Sequence, residues 1–353
     1  MKPVSILGYV LLAGAAAYAL LVVPASGDMS LMINGSIYAT YGILALSLAL
    51  VWGFAGILSF GQASFFGLGG YAYAVVALNS GDTTLAAFAA IAVAALFALM
   101  LGYFMFWGRI SDVYLGVITL TISLILYRFF NQTAGSEWTI GVAPLGGFNG
   151  IPSTPILTYI GQPDQPLWPE QIYVLAVLVL LFFYVLSKAV LTTRFGRIVV
   201  AIRENEQRAE LLGYDSRFYK LGIFTLAGAM AGAAGVLFAN CVFVSPNMFN
   251  LQTSSQLLIW VIVGGLGTLA GPVMACFLLL MLSTYLGTVN SSGGLAWLDP
   301  NLVLGILLTA AVLLFPKGLL PMVTGVVERL FRAITARRSG SSVTAASTER
   351  PMP

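Results

Sequence analysis

This sequence contains no histidine, only two cysteines and very little charge, and each shortage excludes a class of function. Without histidine there is no imidazole for acid–base catalysis or for metal ligation. Cys241 and Cys276 are far apart and form no CxxC motif, so no zinc framework is written in the chain. Charged residues make up 8% of the 353, against roughly 25% in a soluble domain. Hydrophobic residues make up 59% and the mean hydropathy is +0.94. Water cannot be the main solvent of such a surface. The class is an all-α polytopic membrane protein.

Several motifs are also missing. No GxxxxGK[ST] occurs, so the chain has no P-loop for ATP. Neither GxSxG nor HExxH occurs, no catalytic residue is expected, and nothing suggests nucleic-acid binding. Ion-coupled transporters commonly carry ionisable groups at mid-membrane, where each is costly to keep. Here every carboxylate falls in a loop or at the end of an apolar run. Energy coupling through a buried acid is therefore poorly supported, and an autonomous carrier or channel is the weaker reading. A scaffold role would explain tight glycine packing but not the ordered motifs described below.

What charge there is falls in blocks. Seven of the 16 basic residues lie between Lys188 and Lys220, and six more follow Phe315. The polar stretch 131–171 holds Glu137, Asp164 and Glu170 but no Lys or Arg. The positive-inside rule places 192–219 and both termini in the cytoplasm and 131–171 outside. A spanning helix needs about 20 apolar residues. Candidate spans cover 4–23, 31–51, 62–79, 85–107, 113–130, 172–191, 220–240, 255–270, 272–289 and 301–316, about ten in all. The first of these begins like a signal peptide, but its apolar run is long for one, so a retained span is expected. Residues 1–333 then form one transmembrane domain, and the small, polar 334–353 a disordered cytoplasmic tail.

Two stretches interrupt the helical pattern. Residues 53–70 are glycine-rich and contain Ser59, Gln62 and Ser64, and residues 264–272 read GGLGTLAGP. Non-helical backbone at membrane depth survives only where protein or a wet cavity covers it. Each is either an interrupted helix or re-entrant turn beside a pathway, or a tight glycine contact between helices. Gly228 and Gly232, in span 220–240, read as packing residues.

The loop 192–222 predicts a short helix over about 198–212. Glu204 and Arg208 have the spacing of an i, i+4 pair, Gly213 sits at C′, and Asp215 or Ser216 caps the next helix. Val199, Ile202, Ala209 and Leu212 fall on one broad face. The loop is either a solvated basic segment or a docking helix for a cytoplasmic partner.

The run from Phe195 to Ala239 resembles the coupling region of LivM-type permeases, the membrane subunits of ABC importers for branched-chain amino acids. Urea and short-amide importers are close relatives of that family. Further matches are GILSFGQASFFGLGGYA at 56–72, GGFNGIP at 146–152, the run from Ser245 to Ala275, and LFPKGLL at 314–320. The resemblance implies a multi-pass inner-membrane permease that pairs with a second, homologous permease. It also implies two cytoplasmic ATPases, which hold the ATP and Mg, and an extracytoplasmic substrate-binding protein. By position, Arg197, Arg203, Glu204, Glu206, Arg208, Glu210 and Gly213 match the ATPase-docking loop. Ser59, Gly61, Gln62 and Ser64 match a segment lining the translocation path, and Gly264, Gly265, Gly267, Gly271 and Pro272 match its counterpart in the second half. The expected cargo is a branched-chain or other hydrophobic amino acid, with urea or a short amide as the alternative. No cofactor or metal is expected in this chain itself.

Overall fold

The computed structural model describes residues 16–291 except Ser136 and residues 160–161, together with Gly14 and positions 302, 303, 305, 306, 309 and 318. The first half of the expected first span, most of the expected last span and the whole C-terminal tail lie outside the described residues. Among the described residues, a short helical segment, Tyr18–Val22 followed by Val23–Ala25, precedes ten α-helices. Helix α1 runs over Met29–Leu48 and continues in π-helical form over Ala49–Phe54. After a non-helical stretch come α2 (Gln62–Ser80), α3 (Thr83–Trp107) and α4 (Asp112–Gln132). Helix α5 (Pro169–Thr192) leads into α6 (Arg194–Glu204) and α7 (Glu206–Leu211). The rest are α8 (Ser216–Cys241), α9 (Leu251–Gly264) and α10 (Ala270–Ser291).

Local chemistry sets several of these boundaries. The Asp28 carboxylate accepts from the Ser30 and Leu31 amides at 3.0 and 3.2 Å, and Asp82 does the same for Thr84 and Leu85 at 2.8 and 3.1 Å. Each satisfies amides that the first helical turn leaves without partners. Between α2 and α3 the chain reverses at Gly81, whose φ of +71° suits a residue lacking Cβ.

Among the described residues, six helices are long and apolar enough to cross a membrane: Met29–Phe54, Thr83–Trp107, Val113–Gln132, Pro169–Thr192, Ser216–Cys241 and Ala270–Thr288. The count of ten is not reached, for two physical reasons besides the outlying spans. Helix α2 spends its length on glycines, serines and Gln62, which lower its hydropathy. Helix α9 has 14 residues, about 21 Å at 1.5 Å per residue, short of the roughly 30 Å of a bilayer core.

Helix α8 is the hub, packed on α2, α3 and α1. Its contact with α3 is made of small residues on both sides. A Cβ on Gly228 would overlap the Cβ of Ala98, and one on Gly232 would overlap that of Ala94. Ala86, Ala90, Ala94 and Ala98 form a fully buried stripe at i, i+4 spacing along α3. Close approach through small residues is the usual route to dispersion energy between helices in lipid, where no hydrophobic force separates them from solvent. Gly228 and Gly232 are packing residues. The most apolar windows of α1 and α8 are 72% and 67% buried, against 28–33% in α3, α4, α5 and α10. Helices α1 and α8, together with the largely buried α2, therefore form the core, and the outer four present apolar faces fit for acyl chains.

The loops gather at two opposite faces. At one, Asn79 Nδ2 donates to the Ile140 carbonyl at 2.8 Å, Thr83 meets Thr158, and the Ile151 amide donates to Val244. Two short antiparallel pairs lie in this long loop: β1 (Thr139–Ile140) with β2 (Ala143–Pro144), and β3 (Thr158–Tyr159) with β4 (Gln162–Pro166). Asn240, at the end of α8, ties it down: its Oδ1 accepts from the Leu157 amide at 2.6 Å and from the Tyr73 hydroxyl at 3.3 Å. At the other face α6 and α7 lie beside the end of α1 and the α9–α10 turn.

Candidate functional site

The stretch 53–70 resolves into a helix end, a break and a new helix. The π-helical end of α1 gives way at Gly56, whose φ is +75°, and the chain stays non-helical until α2 begins at Gln62. Inside an apolar bundle the exposed peptide groups of such a break need partners. Phe60 receives them from side chains of other helices. Its amide donates to Thr119 Oγ1 at 3.1 Å, and its carbonyl lies 3.1 Å from Ser254 Oγ and 3.3 Å from Ser123 Oγ.

Those hydroxyls belong to a continuous buried seam. Ser64 and Ser123 are 2.6 Å apart between α2 and α4, and the Gly61 amide donates to Ser59 Oγ at 3.1 Å. Ser47 of α1 lies 3.2 Å from Gln62 Oε1 and 2.7 Å from the Leu44 carbonyl. Gln62 Nε2 is buried without a hydrogen-bond partner. Ser47 has one proton for two acceptors, so either orientation of the amide leaves one polar end of Gln62 unsatisfied. Buried polar groups in folded proteins nearly always find partners, and an orphan costs about 1–3 kcal/mol.

An aromatic cluster closes the seam on the side of the long loop. Two helical turns beyond Ser64 on α2 stands Tyr71, and two turns beyond Ser123 on α4 stands Phe130. Their ring centroids are 4.0 Å apart, and Phe249 stacks on Phe130 at 5.0 Å with nearly parallel planes. Gly67 makes room for this cluster, since a Cβ there would overlap the Phe249 ring.

At the opposite face the expected single loop helix is two. Asn205 adopts extended backbone, φ −162° and ψ 101°, and its side chain caps α7 by accepting from the Arg208 amide at 2.8 Å. The expected Glu204–Arg208 pair does not form, because the break between them removes the i, i+4 geometry. Glu204 lies 3.9 Å from Arg203 instead. The same break turns Leu212 outward: Val199, Ile202 and Ala209 are buried, whereas Leu211 and Leu212 are 87% and 75% exposed. Gly213, at φ +89°, ends α7 in the left-handed conformation, and Asp215 caps α8 through the Arg217 amide.

The charged loop residues divide into two groups. Arg197, Glu204 and Arg208 face outward. Glu206 is bonded to Lys220 Nζ at 2.8 Å and Glu210 to Ser216 Oγ at 2.7 Å. Burial alone would raise the Glu206 carboxyl, but the hydrogen bond and charge of Lys220 outweigh it and hold the group below its ordinary value. Arg203 keeps about a third of its side chain exposed but reaches back to the bundle. Its Nη1 donates to the Gly53 carbonyl at 2.6 Å, beneath a cleft of about 400 Å³ lined by Ala55, Gly56, Asn205 and Gln207 among others.

Residues 31–315 match the family model described as branched-chain amino acid transport system / permease component. The chain belongs to that family. The permease is 30% identical over 307 residues to the high-affinity branched-chain amino acid transport system permease protein LivM of Escherichia coli, covering 80% of this chain and 68% of that one. It is 25% identical to the probable branched-chain amino acid transport permease protein LivM of Methanocaldococcus jannaschii, over 80% of this chain and 91% of that one. A shorter match, 30% over 143 residues, joins 35% of it to 40% of the autoinducer 2 import system permease protein LsrC of Photorhabdus laumondii. No solved structure matches the permease.

In the permease, the first group of expected path residues comes together and the second lies elsewhere. Ser59, Gly61, Gln62 and Ser64 are all buried at the seam. Gly264, Gly265, Gly267 and Gly271 form the tight turn between α9 and α10, about 15 Å along α9 from Ser254 at 1.5 Å per residue. A Cβ on Gly264 would overlap Gly271 and Pro272, and Gly265 and Gly267 need φ of +106° and +81°. The two glycine-rich runs do meet, however: a Cβ on Gly53 would come 3.0 Å from the Gly267 amide nitrogen. Ser47, Thr119, Ser123 and Ser254 escaped the sequence reading. Only Thr119 and Ser123, four apart in an apolar helix, carry a readable signal, because that spacing puts two hydroxyls on one face.

Proposed function

We propose that this permease is the membrane-spanning subunit of an ATP-driven ABC importer and that its cargo is a branched-chain or other hydrophobic amino acid. The buried seam around the Phe60 backbone, with one end of Gln62 unsatisfied, carries this reading. A polar solute crossing hydrocarbon needs convergent groups that hold it weakly enough to let go. Uncharged hydroxyls, an amide and a bent backbone have that character. The aromatic cluster of Tyr71, Phe130 and Phe249 then separates the seam from the extracytoplasmic side, where a substrate-binding protein delivers cargo.

The energy comes from two cytoplasmic ATPases that bind ATP and Mg and dock on the loop 192–219. Exposed Leu211 and Leu212, with Arg208, Glu210 and Asp215 close by in the chain, give that loop an apolar tip among charges of both signs, a surface suited to a protein partner. A second, homologous permease completes the pathway. The chain sits in the inner membrane with both termini in the cytoplasm, as the basic blocks favour.

An uncharged seam also suits urea or a short amide, which is the second reading. Uptake of labelled leucine by the complete complex, competed with urea and acetamide, separates the two. The amino acid reading expects competition by isoleucine and valine and none by urea, and the reverse pattern would replace it.

A further inference from the structure

We infer that Arg203 is a latch between the loop helices and the two glycine-rich breaks, a positioning residue rather than a contact for the ATPases. The inference rests on the importer reading above. Its geometry comes from three neighbours. The last carbonyls of a helix lack amide partners, and Gly53 lies in the last turn of α1, where a guanidinium also meets the negative end of the helix dipole. Arg203 Nη1 bonds that carbonyl at 2.6 Å. Gly56 admits the side chain, because a Cβ there would come 3.0 Å from Arg203 Cγ. Gly267 lies on the far side, where a Cβ would stand 3.6 Å from Nη1. One side chain thus bonds the end of α1, packs on the break after it and lies beside the α9–α10 turn.

The connection continues inward. From Gly56 the chain runs without helical support to Ser59, Phe60 and Gln62, the heart of the seam. Ser254, which holds the Phe60 carbonyl, lies on α9, the helix that ends at the turn beside Arg203. A displacement of α6 therefore reaches both walls of the seam through one charge-assisted hydrogen bond. Arg197 and Arg208 are exposed, whereas Arg203, also partly exposed, has its Nη1 committed to the Gly53 carbonyl, so a docking partner has other cations to meet.

The test uses the complete complex, with its second permease, ATPases and binding protein, in liposomes. Arg203→Gln and Arg203→Lys are compared with wild type for retention of the ATPases on the purified permease, ATP hydrolysis with and without loaded binding protein, and uptake. The latch predicts that Arg203→Gln keeps its ATPases at wild-type stoichiometry and still hydrolyses ATP. Uptake should fall by about tenfold or more, the scale of losing one charge-assisted hydrogen bond. Arg203→Lys, with an ammonium able to reach one carbonyl, should recover part of it. Wild-type uptake in Arg203→Gln would overturn the latch, as would loss of the ATPases from that variant, which would make Arg203 a docking contact. Absence of ATP-driven uptake in the wild-type complex would instead overturn the importer reading, and the latch with it.

Discussion

The guanidinium of Arg203 and the carbonyl of Gly53 are joined by a 2.6 Å hydrogen bond across 150 positions of chain. Arg203 belongs to a loop helix outside the spans, and Gly53 to the end of a core helix inside them. The bond places the most basic loop of the protein in direct contact with the backbone break that leads to its buried polar seam. Most structural and functional consequences follow from how that break is held.

Phe60 is held by hydroxyls, and removing one should cost stability. Replacing Thr119 by Val leaves the Phe60 amide buried without a partner, which should destabilise the protein by about 1–3 kcal/mol. Thr121→Val is the control, because the Thr121 hydroxyl only back-bonds to Val117 of its own helix and is exposed. Detergent-denaturation midpoints of the two variants should differ clearly. Equal midpoints would contradict the assigned role of Thr119.

Gln62 should show the opposite sign. Replacing it by Leu removes an unsatisfied buried polar end, while Ser47 keeps the Leu44 carbonyl as its acceptor. Stability should hold or rise, by up to about 1–3 kcal/mol, the cost of one buried orphan. Leucine uptake should fall at least about tenfold, equivalent to 1.4 kcal/mol of lost interaction. A variant that is both less stable and fully active would contradict the functional reading of the seam.

The α3–α8 contact admits a paired test. Gly228→Ala places a methyl against the Ala98 methyl and should destabilise by about 1–3 kcal/mol, as overpacking generally does. Adding Ala98→Gly should restore part of that loss, giving a coupling of about 0.5–3 kcal/mol for residues in contact. Strict additivity in thermal or denaturant unfolding would show that the two helices do not meet there.

The Glu206–Lys220 pair gives the loop a pH dependence. The Glu206 carboxyl titrates lower when folded than when unfolded. It therefore contributes stability that is fully present above its unfolded value and lost as pH falls through the folded one. Glu206 is 41% exposed, so solvent screening keeps the effect small. Between neutral pH and the acid range, the midpoint of wild type should fall more than that of Glu206→Gln. Parallel pH profiles would remove the pair from the account.

The core of the fold was legible because it rests on periodicity and size. Apolar runs located α1, α3, α4, α5, α8 and α10, and the Gly228 and Gly232 spacing identified the packing seam that Ala94 and Ala98 complete. Two features resisted for physical reasons. Helix α9 looked longer because apolar residues continue past Gly264, and only the positive φ at Gly265 and Gly267 stops the helix. The loop looked like one helix because Asn205 is a tolerable helix residue. Its capping of Arg208 depends on the local backbone, which a spacing rule does not see. The polar seam was half visible. Ser59, Gln62 and Ser64 stood in one segment and Thr119 and Ser123 on one helix face, whereas Ser47 and Ser254 join them only through tertiary packing. Arg203 read as a surface cation, and its reach back to the bundle depends on the missing Cβ of Gly56.

The most direct measurement is labelled leucine accumulation in proteoliposomes carrying this permease alone or the complete complex. The account predicts accumulation against a gradient only when the second permease, the ATPases, loaded binding protein and ATP are all present, and no flux through the isolated chain. Leucine equilibration through the isolated chain without ATP would contradict it, because the pathway would then need no motor.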